Sequence, residues 1–123
     1  MIQLTSLPEV AEKEEGILMA AFAIGIDKNG LEDFCRRWKI MNLSLFGSVL
    51  REDFTDNSDV DVMVTFQPDA DWSLLDHVTM REELMVLFGR DVDLVTRKGV
   101  ERSRNSLRRD AILESAEVVY EAA

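Results

Sequence analysis

The residues of this 123-residue chain that could do chemistry are acidic and closely spaced. Asp59 and Asp61 lie two apart in an alternating, valine-rich run, Asp59 to Phe66 (DVDVMVTF). Such a run reads as a strand. Alternation sends Asp59, Asp61 and Met63 to one face and Val60, Val62 and Val64 to the other. Two carboxylates leaving one face repel unless a cation lies between them. Mg²⁺ is the natural occupant, because it takes one or two carboxylates together with substrate phosphates. A third acid would help to hold a second metal or deprotonate an attacking group. The run Asp91 to Thr96 (DVDLVT) supplies one. Asp93, flanked by apolar residues and expected to be buried, is the preferred third carboxylate. Asp91 shares its face by alternation and is the fallback.

Upstream, the apolar run Leu43 to Phe46 stops at Gly47-Ser48, with ten residues between Ser48 and Asp59. This pair is expected to close a strand and open a short helical turn. Free backbone N–H groups and a positive dipole end there suit a phosphate. Glycine admits a close approach, and the Ser48 hydroxyl adds a donor. A phosphate site beside a divalent-cation site is the chemistry these types and spacings describe.

Rival readings fit less well. An Asp-rich run such as Asp53 to Asp61 is, taken alone, usually a solvated loop, but the preceding glycine–serine pair and the valine alternation reverse that reading. Asn57, Asp59 and Asp61 have the alternate spacing of a calcium loop. Val62 where that loop needs glycine, and Pro68 where it needs glutamate, exclude it. His77 reads as a surface residue of a helix, and Cys35 as a small core residue rather than a nucleophile.

Taken together, Gly47-Ser48, the ten-residue spacer, Asp59 and Asp61, and an acid on a later strand resemble the nucleotidyltransferases of the polymerase-β superfamily. The short chain, and the Phe46-Gly47-Ser48 start with Arg51 three residues on, are most similar to the minimal, MntA-type nucleotidyltransferases. The resemblance runs from about Leu31 to Tyr120. It implies a nucleotidyltransferase fold, with Gly47, Ser48 and Arg51 at the nucleoside triphosphate. Asp59, Asp61 and Asp93 are implied as the catalytic carboxylates and the Mg²⁺ ligands. The implied reaction transfers a nucleotidyl group, AMP from ATP, to a hydroxyl on a protein partner and releases pyrophosphate. Minimal members usually act as the antitoxin beside a HEPN-domain toxin, so the resemblance implies such a toxin as partner. The alternative is a binding module with weak or no catalysis that neutralises its partner by occlusion. A chain this short has no room for the helices that enclose the acceptor in larger members. The acceptor site is therefore expected to be completed by a partner or by a second copy of the chain.

These residues need a scaffold, and the composition allows one compact domain. Hydrophobic residues make up 46% and charged residues 31% of the chain. Fourteen Lys and Arg against 24 Asp and Glu leave a net charge of −10. Non-specific nucleic-acid binding depends on cationic side chains displacing counterions, so it is not expected. Nor is binding to an anionic membrane surface. The single cysteine excludes an internal disulfide and suits a reducing, cytoplasmic compartment. The most apolar stretch, Ile17 to Ile26, has ten residues, about half of the ~20 needed to cross a bilayer. It follows acids and reads as a buried helix.

Ser6, Pro8 and Glu9 mark the start of a helix over residues 8–22, within an N-terminal helical extension, 1–28, that precedes a nucleotidyltransferase domain over 29–123. Leu31, Phe34, Cys35 and Trp38 form one helical stripe. A helix from Ser73 to Phe88 ends at Gly89, with Leu74, Leu75, Val78, Leu84, Met85 and Phe88 as core candidates. A final helix is expected from Val100 to Ser115, then a short strand over Val118 to Tyr120. The class is α/β (α+β), a small mixed sheet of at least three strands flanked by helices. Arg97, Lys98, Arg102, Arg104, Arg108 and Arg109 gather six of the fourteen basic residues into thirteen positions. That patch reads equally as a solvated face or as a grip for an NTP tail, an RNA end or an acidic partner.

Overall fold

The computed structural model describes residues 27–47 and 59–122. The expected N-terminal helix and the apolar run before Asp27 lie outside the described residues, as do Ser48 and Arg51.

Asp27 caps the first described helix, α1 (Lys28–Arg37), its carboxylate accepting from the Asn29 amide. The Asp27 to Gly30 cluster, a helix breaker by composition, therefore opens this helix. Leu31, Phe34 and Cys35 are buried as one stripe, and Trp38 follows at the C-terminal cap. Lys39 takes a positive φ of 54° and turns the chain into β1 (Ile40–Phe46). Next come β2 (Val60–Phe66), α2 (Leu74–Phe88), β3 (Val92–Thr96), α3 (Arg97–Glu101), α4 (Ser106–Ser115) and β4 (Glu117–Glu121). Ser73 and Asp76 form a reciprocal capping box at the start of α2, and Gly89 ends it at φ 70°, the left-handed conformation glycine adopts without strain.

The sheet has four strands in the order β3-β2-β1-β4. β1 pairs antiparallel with β2 and with β4, while β2 and β3 are parallel. The parallel pair requires a crossover, which α2 supplies. One face of the sheet carries Leu43, Leu45, Val60, Val62, Val64, Val92 and Leu94 against Leu31, Phe34 and Cys35 of α1 and Met80, Leu84 and Phe88 of α2. The other face packs Phe46 and Met63 against Val100 of α3 and Ile112 of α4. Trp72 meets Trp38 edge-on, with centroids 5.0 Å apart, and donates its indole N–H to the Trp38 carbonyl at 2.9 Å. This ties the β2–α2 loop to the end of α1.

The structure corrects several expectations. The helix expected over Val100 to Ser115 is two helices. Between them the Ser103 hydroxyl accepts from the Asn105 amide, and the Asn105 side chain accepts from the Arg108 amide. These local bonds satisfy backbone donors outside the helical ladder and start a new helix. Leu74, Leu75 and Val78 are exposed rather than core. The buried stripe of α2 is Met80, Leu84 and Phe88, and at about 100° per residue Leu75 falls on the opposite side of the helix.

Candidate active site

Both strands that carry the acids run parallel and start at the same end of the sheet. Asp61 lies opposite Asp93 in the β2–β3 ladder, and Phe46 lies opposite Asp61 in the β1–β2 ladder. Phe46, Asp61 and Asp93 thus form one row across three strands. Ser44, Met63 and Val95 form the next row on the same face. That second row is partly covered by Val100 and Ile112, whereas Asp93 is exposed and Asp61 half-buried. Asp59 sits exposed immediately ahead of β2, on the Asp61 side by alternation. Like charges directly opposite each other destabilise a sheet.

The register distinguishes the two third-acid candidates. Asp93 is the direct neighbour of Asp61, and adjacent strands lie about 4.8 Å apart. Asp91 lies ahead of β3, where its carbonyl accepts from the Val60 amide at 2.9 Å. The expected burial of Asp93 is not observed. Alternation turns Val92 and Leu94 to the core, and Asp93 lies on the other face, at the end that α3 and α4 leave uncovered.

Gly47 completes the row. It follows Phe46 with φ 73°, in the left-handed region that favours glycine. A Cβ at this position would overlap Oδ2 of the Asp61 carboxylate. The backbone therefore passes directly over the Asp61 side chain, in a space only glycine leaves open. Ser48 and Arg51, expected to act with Gly47 on the triphosphate, lie outside the described residues.

Two further residues, not singled out for this role from the sequence, hold the strand bearing Asp93. Arg81 Nε donates to the Val92 carbonyl at 2.8 Å, and His77 Nε2 donates to the Leu94 carbonyl at 3.1 Å. These are the outward carbonyls of the edge strand, on either side of Asp93. His77 is thus a half-buried clamp residue rather than a surface one. The i, i+4 spacing of His77 and Arg81 on α2 was the available signal. Cys35 is fully buried, and burial, with Glu32 nearby, pushes its thiol up to about 12. A thiol so held is no nucleophile at neutral pH.

The donor set fits Mg²⁺. Among the described residues no group of three or more His, Cys, Asp or Glu is placed to hold a metal ion. Mg²⁺ does not need one, since it binds through one or two carboxylates, keeps several waters and shares substrate phosphates. Hard carboxylate oxygens beside a glycine that admits close approach are suited to that mode. Among the described residues no helix is long and apolar enough to cross a membrane.

The sequence profile of the Nucleotidyltransferase domain family matches residues 28–119. A Methanocaldococcus jannaschii protein named "Putative protein adenylyltransferase MJ1379" is 34% identical over 64 residues, which are 52% of this chain and 64% of that relative. The chain therefore spans just under two thirds of that relative's length. The fold is similar to "Structure of putative minimal nucleotidyltransferase", with TM-score 0.55 and 30% identity over 72% of this chain and 85% of that one. It is also similar to a chain of "Crystal structure of the toxin-antitoxin with AMP-PNP", with TM-score 0.60 and 19% identity over 79% of this chain and 75% of that one.

Proposed function

The chain belongs to the nucleotidyltransferase domain family, and on that premise we propose that it is a Mg²⁺-dependent nucleotidyltransferase that moves AMP from ATP to a hydroxyl on a HEPN-domain toxin partner. The observation that carries this reading is the row in which Asp61 stands beside Asp93 under the backbone of Gly47. The adenylyltransferase name of the Methanocaldococcus jannaschii relative supports the group transferred. The fold shared with a toxin–antitoxin structure solved with AMP-PNP is compatible with the nucleotide and the kind of partner. A cytoplasmic location accompanies this reading, because ATP and Mg²⁺ are supplied there.

In this reading Asp59, Asp61 and Asp93 would hold Mg²⁺, which would neutralise phosphate charge and polarise the α-phosphate. Gly47, Ser48 and Arg51 receive the triphosphate. The acceptor oxygen bonds to the α-phosphorus, the α–β anhydride bond breaks, and pyrophosphate leaves with the bonding pair. Asp93, the most exposed of the row, takes the hydroxyl proton. The Arg81 and His77 bonds keep β3 in register so that Asp93 remains opposite Asp61.

The test mixes the protein with ATP labelled at the α-phosphate, Mg²⁺ and the product of the adjacent gene. Label is expected on the partner, and is expected to vanish with the Asp59→Asn, Asp61→Asn double variant. Full neutralisation of the partner by that variant, with no label transferred by the unaltered protein, would establish occlusion instead.

A further inference from the structure

On the side of the molecule away from the acid row, a groove of about 360 Å³ lies between α1 and α2. One end is closed where Gly30 meets Leu87: a Cβ on Gly30 would stand 2.9 Å from the Leu87 side chain. The other is closed by the ion pair of Arg37 and Glu83 at 3.1 Å. The two helices therefore run antiparallel along the groove. Phe34 and Leu87 line it, and Val86 forms its lip, 85% exposed. At about 100° per residue, Leu75 and Val78 fall on the same side of α2 as Val86, and both are exposed. This apolar stripe, Leu75 to Val86, is about 16 Å long.

The preceding chain arrives at the closed end beside Leu87. Asp27, the N-cap of α1, lies three residues ahead of Gly30. The helix expected over residues 8–22 leaves four residues, 23–26, before Asp27. A connection that short makes consecutive helices antiparallel neighbours. On such a helix Val10, Ala11, Ile17, Leu18, Ala21 and Phe22 fall within one face about 140° wide. Val10 to Phe22 would span about 18 Å, which matches the stripe. The one charge in that face, Glu14, comes level with Arg37 at the far end of the groove.

We propose that residues 8–22 fold back from Asp27 as a helix that fills this groove and covers the Leu75 to Val86 stripe of the same chain. Phe22 then lies near Val86 and Leu87, and Val10 near Leu75. The family match begins at residue 28, so this packing is an addition to the family domain and does not depend on the transferase reading.

Hydrogen exchange of the full chain tests it. Amides of residues 12–22 are expected to be protected in the unaltered protein. Val86→Asp places a carboxylate under the helix and is expected to cut that protection at least about tenfold, while the sheet amides keep theirs. Leu107→Asp, at an equally exposed leucine of α4, is expected to change neither. Cross-linking reads the same contact without a new charge. A short bis-maleimide should join Val10→Cys to Leu75→Cys within one chain, and should not join Val10→Cys to Leu107→Cys. Cys35 is fully buried and out of the reagent's reach. Unprotected amides in the unaltered protein, protection kept in Val86→Asp, or equal cross-linking of the two pairs would each overturn the proposal. Products joined between chains would overturn it in favour of a second copy as the occupant.

Discussion

The two faces of the sheet differ in a way that β2 displays within seven residues. Val60, Val62 and Val64 enter a continuous apolar core under α1 and α2. On the opposite face of the same strand, Asp61 stands at the open end, and Met63 is covered by the short helices α3 and α4. One face buries everything it has. The other spends its cover on Met63 and Phe46 and leaves the acid row accessible. Period-two alternation lets one strand serve both purposes, so stability and chemistry are separable by residue parity. Substitutions on each face should therefore change different observables.

The largest effect is expected from the acid face. The Asp59→Asn, Asp61→Asn double variant should lower the nucleotidyl-transfer rate by at least about a thousandfold, the scale of losing a main electrostatic stabiliser. Its thermal midpoint should stay near that of the unaltered protein, because neither acid belongs to the apolar core. A matching collapse in stability would break the division between the faces. On the apolar face, Leu84→Ala should cost about 2–5 kcal/mol in denaturant unfolding, with the turnover of the remaining folded protein unchanged.

Gly47→Ala lies at the junction and should move both observables. Placing a side chain at positive φ costs about 1–2 kcal/mol. Overlap with the Asp61 carboxylate should reduce transfer by more than that strain alone would suggest. Arg81→Ala removes one bond to the Val92 carbonyl, costing about 1 kcal/mol. A severalfold loss of transfer without a change in ATP affinity would identify Arg81 as a positioning residue for Asp93.

The smallest effect is confined to alkaline solution and to the apolar face. Cys35 has a raised folded pKa of about 12, against an ordinary value of 9.0. The unfolded thiol ionises first, so the stabilisation is present below pH 9 and is lost as pH rises from 9 towards 12. Comparing denaturant midpoints of the unaltered protein and Cys35→Ala across that range isolates this slope. Equal slopes would mean that the thiol is not held neutral in the core.

Much of the acid row was legible because it depends on local rules. Spacing put Asp59 and Asp61 on one face, and residue type marked Gly47 as a place of close approach. The order of elements gave an α/β class and a mixed sheet. The misreadings came where tertiary arrangement decides. Apolar residues occur all round α2, so periodicity alone could not show that Met80, Leu84 and Phe88 face the sheet while Leu74 and Leu75 do not. The exposure of Asp93 follows from α3 and α4 covering Met63 and Val95 but not the row beside them, a matter of tertiary packing. The bonds from His77 and Arg81 to β3 depend on how α2 crosses the sheet. The break between α3 and α4 had a local signal in Ser103 and Asn105, whose side chains compete for backbone amides.

In the proposed reaction the acid row transfers a nucleotidyl group to a partner. The most direct measurement is the intact mass of the adjacent gene's product after co-production with either the unaltered chain or its Asp59→Asn, Asp61→Asn double variant. A partner heavier by whole nucleotidyl groups is expected in the first case, and one of unmodified mass in the second. A neutralised partner of unmodified mass in both cases would contradict it.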